Sequence, residues 1–174
     1  MNRFKEKIVL ITGAASGMGL SATRRFLDEG ASVVMLDIDE STLKEAAAQF
    51  PQDRVLLQVG DTADKQTATV ALKATVERFG RLDVLINNAG IGSEGDIMQT
   101  SEADFDRVMA VNVAGYFHMA KAAMPELVKT GGSIVMTSSV FVKLGLTALT
   151  RTPSLAASSA MARTILLTAP FEVL

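Results

Sequence analysis

The stretch Leu10–Gly19, read as LITGAASGMG, constrains this chain more than any other. An apolar run from Ile8 to Ile11 ends at Thr12, glycines follow at Gly13, Gly17 and Gly19, and a helical pattern then begins. The order is strand, tight turn, helix. Gly13 and Gly17 suit backbone angles that other residues avoid, and Gly19 removes a side chain where a helix must pack close to a strand or ligand. The free amides of the helix's first turn then face the loop and suit a pyrophosphate. Taken alone, the glycines also fit a plain structural turn.

Along the chain, strands and helices alternate. The first helix is predicted from about Gly17 to Glu29, with Leu20, Thr23, Phe26 and Leu27 on its buried stripe, and Gly30 ends it. The run Ser32–Leu36 is apolar without alternation, as in a strand covered on both faces, and stops at Asp37. An acidic residue about 20 positions beyond a glycine loop reaches the adenosine ribose of a dinucleotide and repels the extra phosphate of NADP. The other reading of Asp37 is a cap for the next helix, Glu40 to Phe50, a job Asp39 could also do. A third strand, Val55–Val59, ends in Gly60, Asp61 and Thr62. Asp61 is a candidate neighbour of the adenine ring, and Asp61 or Thr62 a candidate cap for a helix from Ala63 to Phe79.

A fourth strand, Leu82 to Ile86, runs into Asn87-Asn88-Ala89-Gly90. The two amides need partners and are expected outside the core. Their small neighbours let a flat ligand approach the backbone, so this loop is read as lying along a cofactor and tying strands together. After a loop through Gln99, a long helix is expected from near Glu102 to Leu127, with Asn112 set between valines and either hydrogen-bonded or holding water. Exposed apolar positions on this helix could pack on a second subunit. His118, the only histidine, reads as a satisfied or solvent-facing helix residue without a catalytic or metal role, and Tyr116, the only tyrosine, as a packing residue of the same helix. A fifth strand, Ser133–Thr137, delivers Ser138 and Ser139 to the same sheet edge as the glycine loop.

Composition closes off other classes. A chain of 174 residues that is 48% hydrophobic supports one core, read as a single domain over residues 1–174. A net charge of -2 leaves no electrostatic footprint for nucleic acid. Without cysteine there are no disulfides and no thiolate metal sites, and no metal site is expected. No run suggests a signal sequence or membrane span, so a cytoplasmic protein is expected.

In this order and spacing, the motifs resemble those of the short-chain dehydrogenase/reductase family, from Lys7 to about Ser139. The resemblance is carried by Thr12 to Gly19, Asp37, Asp61, Asn87 to Gly90, Asn112 with Gly115, and Gly132 to Ser139. It implies an α/β doubly wound parallel sheet of order 3-2-1-4-5, the Rossmann arrangement, with C-terminal strands missing or incomplete. It implies that Gly13, Ser16, Gly17, Met18 and Gly19 bind the pyrophosphate, that Asp37 favours NAD, and that Asp61, Asn88, Ala89 and Gly90 contact the adenosine side. Ser139 matches the family's catalytic serine and Asn112 the asparagine that organises a proton-relay water. The implied activity is hydride transfer between NAD(H) and a small alcohol or ketone, in a homodimer or homotetramer.

One pair departs from the pattern. The family's reaction uses a tyrosine with a lysine four residues later. Thirteen residues beyond Ser139 stands Thr152, with Ala156 four further on; aligned on the following helix, Leu155 and Ser159 take the two places. Three readings follow: a partial stretch of an ordinary enzyme, a truncated form that binds cofactor with little turnover, or an NAD-binding scaffold. A helix is expected from Ser158 to Thr168, and Pro170 to Leu174 as the start of a sixth strand.

Overall fold

Strands with apolar middles and no alternation belong in a sheet covered on both faces, and residues 9–11 and 33–36 are buried in one. In the computed structural model the described residues are 2–93 and 98–138, together with the backbone of 163–167. The strands β1 (Ile8–Thr12), β2 (Ser32–Asp37), β3 (Val55–Val59), β4 (Val84–Asn87) and β5 (Ser133–Ser138) alternate with helices α1 (Gly17–Asp28), α2 (Glu40–Ala47), α3 (Lys65–Phe79), α4 (Glu102–Met109) and α5 (Tyr116–Thr130). A sixth strand, β6, is Arg163–Leu167.

The sheet order is β3-β2-β1-β4-β5-β6, with the first five strands parallel and β6 antiparallel to β5. The expected order of five is therefore present, with one strand more. That strand corrects the helix expected from Ser158 to Thr168: residues 163–167 pair Ile134 with Leu167 and Ser138 with Arg163. Thr164 and Ile165 are β-branched and suit a strand. The segment from Pro170 lies outside the described residues.

Alternation along β1 divides the core. Val9 and Ile11 pack with Leu27, Val33, Met35 and Leu43 on the α1–α2 face. Leu10 packs with Val34, Leu85, Leu72, Met119 and Leu127 on the α3–α5 face. Leu10 is fully buried between Val34 and Leu85 in register, so its truncation to alanine costs about 2–5 kcal/mol.

Several helices differ from the expectations in their bounds or continuity. Asp64 caps α3 and accepts from the Gln66 amide, so the helix starts at Lys65; Asp61 instead accepts from the Ala63 amide within the turn. Asp39 caps α2, which ends at Ala47 and not at Phe50. The first helix ends at Asp28, with Glu29 as its C-cap. The long helix expected from Glu102 to Leu127 is interrupted by a π-helical turn, Ala110–Gly115, that contains Asn112.

Candidate functional site

The carboxyl ends of β1, β2, β3 and β4 open into one cleft. Gly13 and Ser16 enter it from the glycine loop, Asp37 and Ile38 from the end of β2, and Gly60, Asp61 and Thr62 from the end of β3. The loop after β4 adds Asn88, Ala89, Gly90 and Ile91, and the helical segment adds Arg107 and Val111. Such a crevice, beside the point where strand order reverses, is where open parallel sheets bind ligands.

The glycine loop is built for close approach. Gly13 has φ +66°, and a Cβ there would lie 3.0 Å from the Ala89 Cα. At Gly19 a Cβ would fall 1.9 Å from the Gly13 carbonyl oxygen, a distance that no side chain tolerates. Ser16 is the extended N-cap of α1, its hydroxyl caps no amide, and Leu20 is the first residue whose amide reaches back into the helix, to Ser16 O at 3.0 Å. The first turn holds no acidic residue. The amides of Gly17, Met18 and Gly19 therefore precede the helical ladder at a dipole end that favours an anion. Gly17, Met18 and Gly19 sit on that turn and do not line the cleft, and Met18 is exposed.

Thr12 clamps this loop to the one after β4. Its buried Oγ1 accepts from the amides of Asn88 and Ala89, both at 2.9 Å. The Asn88 side-chain amide donates back to the carbonyl oxygens of Thr12 at 3.1 Å and Gly13 at 3.4 Å. Asn87 corrects the expectation that both amides lie outside the core: it is 0% exposed, its Nδ2 donates to the Tyr116 carbonyl at 3.1 Å, and its Oδ1 has no partner among the described residues.

Asp37 stands where β2 meets the loop. Its Oδ2 accepts from the Ala15 amide at 2.9 Å, and its Oδ1 from the Asp39 amide at 3.2 Å. The capping of α2 is done by Asp39, which accepts from the Thr42 amide at 3.0 Å and hydroxyl at 2.8 Å; these bonds, the amide's first, hold its carboxyl below the usual range. Of the two readings of Asp37, helix capping is thus taken up by its neighbour.

Asn112 is half-buried and makes a reciprocal pair with the backbone of Ile91: Oδ1 accepts from the amide at 2.9 Å and Nδ2 donates to the carbonyl at 2.8 Å. The side chain thereby fixes the far end of the loop after β4. Tyr116 donates its hydroxyl to the Thr137 carbonyl at 2.9 Å, and burial pushes its phenol up. His118 was expected to be satisfied or solvent-facing; its Nδ1 is buried without a partner among the described residues. Ser139, Leu155 and Ser159 lie outside the described residues.

The structure thus brings Gly13, Ser16, Asp37, Asp61, Asn88, Ala89 and Gly90 to one cleft, with Asn112 supporting its wall. Sequence reading missed Ile38, Ile91, Arg107 and Val111 as lining residues. A signal for two of them exists: Val111 precedes Asn112, and Arg107 stands one turn earlier on the same face.

A sequence model of the family described as short chain dehydrogenase matches residues 7–163. The chain belongs to the short-chain dehydrogenase family. It is 41% identical over 138 residues to a meso-2,3-butanediol dehydrogenase of Serratia marcescens, covering 79% of this chain and 55% of that protein. An uncharacterized oxidoreductase of Thermotoga maritima is 44% identical over 138 residues, covering 78% and 54%. This short-chain dehydrogenase family member therefore spans about half the length of the relatives it matches. Among solved structures, a 3-ketoacyl-(acyl-carrier-protein) reductase from Brucella melitensis, complexed with NADH, superposes with a TM-score of 0.75 at 31% identity, covering 78% of this chain and 58% of that one. A short-chain dehydrogenase/reductase of the glucose/ribitol dehydrogenase type from the same organism gives 0.76 at 31% identity, covering 79% and 58%.

Proposed function

We propose that this family member binds NAD(H) in the cleft and acts as an oxidoreductase on a small alcohol or ketone. The observation that carries the reading is Asp37, a carboxylate oriented by the Ala15 amide beside the N-terminus of α1. A diphosphate on that N-terminus brings a ribose to the end of β2, where a carboxylate accepts from its hydroxyls and repels a 2′-phosphate. NAD is therefore favoured over NADP, and the NADH complex of the similar Brucella melitensis reductase supports a nicotinamide cofactor.

In this reading the amides of Gly17, Met18 and Gly19, on the turn beside the cleft, and the Ser16 hydroxyl hold the diphosphate, while Gly13 and Gly19 let the loop fold closely against Ala89 and against itself. Asp61, Asn88, Ala89 and Gly90 bound the adenosine half. The nicotinamide supplies or takes up the hydride when bound. Ser139 polarises the reacting oxygen, and Asn112, pinned to Ile91, organises a proton-relay water. Residues 1–174 are read as one nucleotide-binding domain in a cytoplasmic protein. Exposed Phe105, Met109, Val113 and Phe117 recur at intervals of four from α4 through the π-helical turn into α5, and this apolar stripe supports a homodimer or homotetramer.

Calorimetric titration with NAD+ and NADP+ tests the binding half, and a change in nicotinamide absorbance with secondary alcohols and ketones tests turnover. Affinity for NADP+ equal to that for NAD+ would sink the preference assigned to Asp37. Turnover that survives Ser139→Ala undiminished would remove Ser139 from the reaction.

A further inference from the structure

The charged side chains lining the cleft are Asp37, Asp61 and Arg107. Two carboxylates already repel an anionic dinucleotide, and Arg107 is the cation that lines the cleft with them among the described residues. It stands in the last turn of α4, four residues before Val111, so the two share a face. Val111 is 8% exposed and forms the cleft wall, while Arg107 is exposed at the rim.

Arg107 has no hydrogen bond or ion pair among the described residues, whereas Lys7, Arg25 and Arg81 each hold a carboxylate. The carboxylate one turn before it, Asp104, is drawn back to the helix N-cap, where its Oδ2 accepts from the Ser101 hydroxyl at 2.6 Å. A guanidinium that lines a cleft with all its donors free is suited to a ligand with acceptors.

We infer that Arg107 recognises the base of the dinucleotide, a role that rests on the nucleotide-binding reading above. The glycine loop fixes the diphosphate at one end of the cleft and Asp37 the ribose. The base then lies toward Asp61, Thr62 and Val111, which line the same cleft. Adenine presents an exocyclic amine beside ring-nitrogen acceptors. The Asp61 carboxylate accepts from the amine, and the Arg107 guanidinium donates to a ring nitrogen and offsets the negative charge of the cleft.

The test is calorimetric binding of NAD+, AMP and nicotinamide mononucleotide to the wild-type chain, Arg107→Ala and Arg107→Lys. Loss of a hydrogen bond from a charged donor weakens NAD+ and AMP by about tenfold in Arg107→Ala. Arg107→Lys recovers part of the loss, because the charge returns without the planar fork. Nicotinamide mononucleotide, which lacks the base, is unaffected. The gap between wild type and Arg107→Ala narrows at about 1 M salt, because the rim is open to screening. AMP binding equal in wild type and Arg107→Ala overturns the inference, as does an equal loss for nicotinamide mononucleotide. A wild-type chain that binds neither NAD+ nor AMP overturns the nucleotide reading itself, and the role of Arg107 with it. Thermal unfolding of both variants at the wild-type temperature is expected, since Arg107 is exposed and has no side-chain partner among the described residues.

Discussion

The carboxylate of Asp37 accepts a hydrogen bond from the backbone amide of Ala15 at 2.9 Å, across 22 residues of sequence. This contact joins the end of β2 to the glycine loop before any ligand arrives. It orients one carboxylate oxygen and shapes the loop, so Asp37 has a structural part and a binding part that two variants separate.

Asp37→Asn keeps an oxygen for the Ala15 amide but loses the charge. NAD+ affinity is expected to fall about tenfold or more, in line with about 1.5–3 kcal/mol for hydrogen bonds to a charged group. NADP+ affinity is expected to hold or rise, because the repulsion of its 2′-phosphate is gone. Asp37→Ala loses the Ala15 contact as well and should also lower the unfolding midpoint. An unchanged NAD+ to NADP+ ratio in Asp37→Asn would remove the carboxylate from cofactor choice.

Gly17 and Gly19 answer differently to alanine. At Gly19 the new Cβ meets the Gly13 carbonyl oxygen at 1.9 Å, so the loop must move, at about 3 kcal/mol or more. Gly17 has φ +52° with nothing within 4 Å of a Cβ, so alanine there costs only the left-handed conformation, about 1–2 kcal/mol. Urea unfolding of the two variants checks the order. Equal midpoints would show that the loop absorbs the Gly19 clash at no cost.

How much of the fold is legible in the sequence follows from where each signal lives. The five parallel strands were readable because each is a short apolar run stopped by a polar residue, and Gly13 to Gly19 fixed the first turn by backbone geometry alone. The cap of α3 was not: Asp61, Thr62 and Asp64 are all competent caps, and only the turn that lets Asp61 take the Ala63 amide leaves the role to Asp64. Asn87 was misplaced because an amide's polarity is visible in sequence, while the Tyr116 carbonyl that receives its donor comes from an element 29 residues away. Arg107 went unread for a related reason. A cation on an exposed helix ordinarily faces water, and its place at the cleft depends on the tertiary position of α4.

Asn112 is expected to act on the loop through Ile91. Asn112→Ala leaves the Ile91 amide and carbonyl without their partners, which costs about 1–3 kcal/mol where water cannot replace them. Asn112→Asp keeps the acceptor for the amide and loses only the donor, so its loss is smaller. Urea unfolding gives the energies, and hydrogen exchange at the Ile91 amide gives the location. Unchanged protection of that amide in Asn112→Ala would show that the loop does not depend on this pair.

Acid stability is expected to run through Glu29. Its side chain is buried at the end of α1 and binds Arg3 and Arg25, with an Arg3 Nη2 bond of 2.6 Å to Oε1. The hydrogen bond from Arg3 is the largest influence, followed by burial acting in the opposite direction; together with Arg25 the result lowers the Glu29 carboxyl from 4.5 to about 2. In the unfolded chain the carboxyl takes up its proton near 4.5, above the folded value, so protonation favours the unfolded state as pH falls. The contribution of Glu29 is therefore complete above pH 4.5 and is lost progressively as pH falls toward 2. In Glu29→Gln this titration is absent, so unfolding midpoints should be lower at neutral pH and decline less steeply across that window. Arg3→Ala keeps the Arg25 contact and should show an intermediate slope. Parallel acid limbs for wild type and Glu29→Gln would place the acid sensitivity on other carboxylates, of which the buried Asp83, held below its usual range by the Ile8 amide, Arg81 and Lys7 despite the opposing effect of burial, is the next to replace.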